Sequence, residues 1–168
     1  MNSGRIAVNA KRVIHEFVLL NPGTPQQVFP LLCPVREAEW LPQWKYRLVF
    51  SQSGVAELGA IFTTPNEDGE ETSWVVTHYD PAKPEIAFAW VRPRMLATRL
   101  EIALSPAAGG QCRACWRYTY TALSAAGERD LERMDRAGFE PKKRRLEKAI
   151  NHFLQYGTII SAKEWETA

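Results

Sequence analysis

Between residues 46 and 123 the chain breaks into six short β-type runs with hardly any sequence between them: 46–51, 55–64, 72–79, 85–91, 97–104 and 112–123. The breaks carry turn chemistry, in Gln52-Ser53-Gly54, Pro65-Asn66-Glu67-Asp68-Gly69, Asp80-Pro81, Pro93 and Ala108-Gly109-Gly110. A parallel return needs a crossover of about a dozen residues or more, so these connections predict antiparallel neighbours in sequence order, a meander.

Such a sheet has one face to hide. In the last run Cys112, Ala114, Trp116, Tyr118, Tyr120 and Ala122 alternate with Arg113, Cys115, Arg117, Thr119 and Thr121, which predicts an aromatic inner face and a wet outer one. Leu100, Ile102 and Leu104 repeat the pattern one strand earlier. The natural cover is the stretch 141–157, where Leu146, Ala149, Ile150, Phe153, Leu154 and Gly157 recur at steps of three or four. Pro141 suits the first turn of that helix, and Gly157 suits its end. Ahead of the meander, 13–20 is a β-type run stopped by Asn21-Pro22-Gly23. Thr24 is then a candidate N-cap before Pro25, Cys33-Pro34 interrupts that helix, and a further turn at 35–40 leads into Trp40-Leu41-Pro42-Gln43-Trp44.

A length of 168 residues suits one domain, placed at 13–160 between a loose lead-in, 1–12, and a tail, 161–168. At that size folding hides roughly 70% of the unfolded surface without help from disulfides or metals. Lys and Arg number 21 against 19 Asp and Glu, with the excess gathered in Lys142 to Arg145. This is not the basic stripe of a nucleic-acid binder. No secretory leader and no apolar run of membrane-spanning length are present, and three cysteines without a leader predict reduced thiols and a cytoplasmic protein.

The order of strand, helical pair, six-strand meander and long last helix resembles the START-like (SRPBCC, helix-grip) superfamily, in particular its polyketide cyclase/dehydrase-like branch. The residues that carry the resemblance are the segment 25–32 before the Trp-containing turn 40–44, Gly59-Ala60-Ile61-Phe62, the segment 73–81 and Ile150-Asn151-His152-Phe153-Leu154. It implies an α+β helix-grip fold: a curved antiparallel sheet of about seven strands wrapped around the C-terminal helix, with two short helices after the first strand. It further implies binding of a hydrophobic or amphipathic small molecule or lipid between sheet and helix. Alternatives are a cofactor-independent polyketide cyclase or aromatase and a partner-binding domain with a filled interior.

Strand period places Trp74, Val76 and His78 on one side of their run, with Phe88, Trp90, Trp116, Tyr118 and Tyr120 on neighbouring strands, and the helix faces them with Ile150 and Phe153. These residues are the expected ligand-binding set. His78 and Tyr118 are the candidates for proton transfer, and Arg92 and Arg94 for an acidic group at the cavity mouth. Cys112 and Cys115 form a CxxC, but an odd separation in a strand sends the thiols to opposite faces, so no metal site is expected, and no cofactor signature occurs.

Overall fold

The computed structural model describes residues 10–66 and 69–167. Residues 1–9 of the expected lead-in, Glu67 and Asp68 of one turn, and Ala168 lie outside the described residues. Among the described residues, seven strands form one antiparallel sheet in the order β1-β7-β6-β5-β4-β3-β2. They are β1 Arg12–Pro22, β2 Arg47–Phe50, β3 Ile61–Pro65, β4 Glu71–Asp80, β5 Glu85–Arg92, β6 Leu96–Pro106 and β7 Gln111–Ala122. β2 to β7 run as a meander, and β1 closes it by pairing with β7, Phe17 opposite Trp116 and Leu19 opposite Ala114.

Two single-turn helices follow β1: α1 Pro25–Val28, and α2 Pro34–Glu37 after a 3-10 turn at Phe29–Leu32. α1 begins where the Thr24 hydroxyl accepts from Gln27 N–H and the Gln27 side chain accepts from Thr24 N–H, a reciprocal cap that satisfies two otherwise orphaned donors. After the sheet come α3 Ala125–Ala137, α4 Glu140–Tyr156 and α5 Ala162–Glu166.

α4 is the gripped helix. Ala149 and Ile150 are fully buried and Leu146 nearly so, with Phe153 and Leu154 half-buried beside them. Gly157 ends the helix at φ 68°, in the left-handed region that favours glycine. The helix lies closest to β1 and ties down that edge strand. The Glu147 carboxylate accepts from Leu20 N–H at 2.7 Å, and the Asn151 amide donates to Leu20 C=O at 3.2 Å. Edge groups that would otherwise need water are thereby satisfied.

The inner face of β7 is the six-residue set expected from its alternation, all of it buried. The structure departs from the sequence reading in four places. The run 55–64 is a strand only from Ile61: the Glu57 carboxylate gathers the N–H groups of Gln52 and Ser53, and Gly59 at φ 82° turns the chain before Ala60 joins Val76. The charge-rich connection 127–140, whose sequence carries a helical signal only around Leu131 and Met134, is a full helix from Ala125, α3, capped by Ser124. The expected tail forms α5, whose Trp165 packs on the core. In β4 the pairing shifts between Val76 and His78, so Val76 faces Phe88 while Tyr79, two residues past Thr77, faces Ile86. That bulge reverses the face of everything after it. Among the described residues, no helix is long and apolar enough to cross a membrane.

Candidate functional site

Between the inner sheet face, α2 with its following turn, and the first turns of α4 lies a cavity of about 140 Å³. Phe62, Trp74, Phe88, Leu100, Ile102, Trp116 and Tyr118 line it from β3 to β7. Pro34, Glu37, Trp40, Leu41 and Trp44 close one side, and Lys142 and Leu146 of α4 another. Hydrogen bonds hold the tryptophan walls. Trp40 Nε1–H donates to Leu31 C=O at 2.8 Å, Trp44 Nε1–H to Pro34 C=O at 2.8 Å, and Trp74 Nε1–H to the Thr64 hydroxyl at 2.9 Å. The Trp116 Nε1–H has no partner among the described residues. Leu41, Trp44 and Trp74 are half-buried and mark the side on which the cavity reaches the surface.

Two ionisable side chains enter this aromatic space. Lys142 is an exposed residue at its helix position, yet its Nζ stands 4.1 Å from the centroid of the Tyr118 ring, a ring that is only 4% exposed. The side chain therefore runs from the helix surface into the cavity. Burial pushes the Lys142 ammonium down, against the favourable influence of Tyr120 and Glu37. Its place in the first turn of α4, at the positive end of the helix dipole, acts in the same direction. Burial pushes the Glu37 carboxyl up to about 8, with Lys142 partly opposing the shift. Lys142 and Glu37 influence each other without forming an ion pair among the described residues. The Tyr118 phenol is raised by burial and then by Glu37, so it remains a neutral donor.

The expected site residues divide. Trp74, Phe88, Trp116 and Tyr118 meet at the cavity. Trp90 stands behind it, its ring tilted 35° to that of Trp74 with centroids 4.0 Å apart. Tyr120 lies parallel to Tyr118 at 5.8 Å. Val76 and Ile150 are buried in the core, and Phe153 packs at its margin further along α4. His78 is displaced: the β4 bulge turns it outward, where its Nε2 lies 3.4 Å from Glu85, and the strand-period placement beside Trp74 and Val76 fails for that reason. Arg92 is held at 2.9 Å by Asp130 of α3 rather than standing free at the mouth. Glu37 and Lys142 are absent from the expected set. Their signal is positional, because Glu37 falls three, four and seven residues before Trp40, Leu41 and Trp44, and Lys142 four before Leu146. Each is thus a charge set on an apolar stripe.

No family model matches the chain, and no curated protein matches it in sequence. Solved structures do. Norcoclaurine synthase from Thalictrum flavum superposes with a TM-score of 0.67 at 13% identity, over 89% of this chain and 90% of that one. A structure of the same enzyme in complex with dopamine and hydroxybenzaldehyde matches equally, at 0.67 and 13%, over 92% and 95%. The di-domain aromatase/cyclase BexL of the BE-7585A biosynthetic pathway gives 0.61 at 15%, over 86% of this chain and 46% of that longer one. Ara h 8.0201 gives 0.59 at 14%, over 86% and 99%. This chain has the START-like, helix-grip fold. In START-like terms, the cavity lies in the space between gripping sheet and gripped helix, and its polar pair comes from α2 and α4 rather than from the strands.

Proposed function

We propose that the protein binds a small hydrophobic or amphipathic molecule, one aromatic ring with a short polar substituent, in the cavity between the sheet and α4. The observation that carries this reading is the cavity itself, about 140 Å³ walled by aromatic side chains, with Glu37, Lys142 and Tyr118 as its polar groups. A dry apolar cavity of about 150 Å³ accepts benzene, and ligand sites combine apolar walls with a few placed polar groups. The volume lies below the roughly 300–1,000 Å³ of pockets that take drug-sized ligands, which favours a single ring over a lipid chain or a folded polyketide. A fold neighbour in complex with two single-ring aromatics, dopamine and hydroxybenzaldehyde, accords with the size. The free thiols Cys33, Cys112 and Cys115 accord with a reducing compartment such as the cytoplasm.

The test is titration calorimetry with benzyl alcohol, phenol, indole and palmitate, beside native mass spectrometry of protein purified without detergent. Saturable binding of the single-ring compounds, weakened by Phe88→Ala and absent for palmitate, is the expected result. Binding of none of them would overturn the reading.

A further inference from the structure

We propose that the ligand of this cavity is a small aromatic acid, seated with its ring against the tryptophan walls and its carboxylate on Lys142. The inference rests on the small-ring reading above and names the class of ring compound. It follows from an imbalance among the polar groups. Lys142 brings three donors and no acceptor, and no carboxylate oxygen stands within ion-pair distance of it among the described residues. Its Nζ lies over the Tyr118 ring instead, a contact that leaves the hydrogen-bonding capacity of the ammonium unused. The Tyr118 hydroxyl, kept neutral by burial, is a further donor on the cavity wall.

Among the described residues, Lys142 is the basic residue of α4 that lines the cavity; the Arg145 Nε is buried without a partner too, but outside the cavity lining. Lys143 lies 3.9 Å from Glu140, and Arg145 stands over the Trp165 ring at 5.9 Å. The titratable groups that face Lys142 from other elements are Glu37 of α2 and Tyr118 and Tyr120 of β7. Both tyrosines are held neutral by burial. Glu37, protonated through neutral pH by its own burial, is a donor to a carboxylate rather than a repelling charge. A ligand carboxylate therefore meets a cation and two neutral donors, whereas an amine meets a cation and a neutral alcohol leaves the ammonium uncompensated. Charge-assisted hydrogen bonds are the strong ones, and in a desolvated site they discriminate between ligands of equal shape.

The probes are benzoate, benzyl alcohol and benzylamine, which share a ring and differ in charge, titrated calorimetrically into the full chain at pH 7. Benzoate is expected to bind at least ~10-fold more tightly than benzyl alcohol, the lower end of what a hydrogen bond to a charged group contributes, and benzylamine more weakly than either. Lys142→Met, which places an apolar side chain on an apolar stripe, is expected to bring the benzoate-to-benzyl-alcohol ratio down to near one, and Lys142→Gln to lower it as well. In the native chain benzoate affinity should decline as pH rises through about 8, where Glu37 ionises, and Glu37→Gln should abolish that decline. Benzyl alcohol or benzylamine binding as tightly as benzoate, or a ratio unmoved by Lys142→Met, overturns the acid and leaves the small-ring reading standing. If none of the three probes binds, the small-ring reading fails and the inference with it.

Discussion

The ammonium of Lys142 lies 4.1 Å from the centre of the Tyr118 ring, joining the first turn of α4 to the inner face of β7. A cation over an aromatic face gains about 0.5–1 kcal/mol at exposed sites and about 2 when desolvated. A double-mutant cycle of Lys142→Met and Tyr118→Leu, read by chemical denaturation, should therefore give a coupling of about 1–2 kcal/mol. Tyr118→Phe, which keeps the ring, should retain most of that coupling. A cycle that closes at zero would show that the two side chains do not interact in solution.

The same cavity makes stability depend on pH. Burial raises the folded Glu37 carboxyl from 4.5 to about 8, so the native state holds a proton that the unfolded chain has already released. Its contribution to stability is complete below about pH 4.5 and is lost as pH rises through about 8. Lys142 acts in the opposite sense. Its folded pKa lies below 10.5, so its contribution is present above that value and is lost as pH falls through the folded one. A tenfold difference in proton affinity between the folded and unfolded chain is worth about 1.4 kcal/mol. Allowing for the partial exposure of Glu37, unfolding free energy should fall by on the order of 2–4 kcal/mol between about pH 5 and 8.5. Urea titrations at the two pH values measure this, and Glu37→Gln should flatten the profile. An unchanged slope in that variant would assign the effect to another group.

The meander and its helix are legible in the sequence because their signals are local. The alternation of β7 reappears in its burial residue by residue, and the stripe from Leu146 to Leu154 is the buried side of α4. The cavity's polar pair is harder to see because it depends on which stripe meets which. Lys142 falls on the stripe of Leu146, but it stands among Lys143, Arg144 and Arg145, and as a group these four look like the solvated start of a helix. Glu37 lies in a four-residue helix, too short for a hydrophobic period to register. The β4 bulge leaves no mark at Thr77, because a bulge is set by register against β5 and β3 rather than by the bulged strand alone.

That bulge separates His78 from Tyr79. Tyr79 turns inward, its ring 5.5 Å from that of Phe29, while His78 faces Glu85 on the outside. His78→Ala is accordingly expected to leave single-ring binding unchanged and to alter stability by less than about 1 kcal/mol, as for an exposed ion pair. Tyr79→Ala should cost about 2 kcal/mol, roughly half the loss for a fully buried aromatic because the ring is half-buried. Calorimetric binding beside thermal melts of both variants distinguishes the two faces. Loss of ligand in His78→Ala, with Tyr79→Ala silent, would restore the unbroken strand period.

Gly127 tests how α3 seats on the sheet. It lies in the first turn of α3, buried, with ordinary helical backbone, so no positive φ demands glycine there. Propensity alone favours alanine by about 1 kcal/mol. Space decides the other way, because a methyl group at Gly127 would meet the Met95 carbonyl oxygen well inside contact distance. That oxygen cannot retreat freely, since it accepts from Leu123 N–H at 2.8 Å, and Gly127 N–H is itself committed to the Ser124 cap at 3.2 Å. Overpacking against a fixed backbone costs about 1–3 kcal/mol, and a weakened backbone hydrogen bond adds about 1. Gly127→Ala is therefore expected to destabilise the protein by about 1–3 kcal/mol net. Its amide exchange should accelerate first at Leu123 and along the β5–β6 turn, ahead of the α4 core. A Gly127→Ala variant as stable as the native chain, or more stable, would mean that α3 does not approach Met95 as closely as it does here.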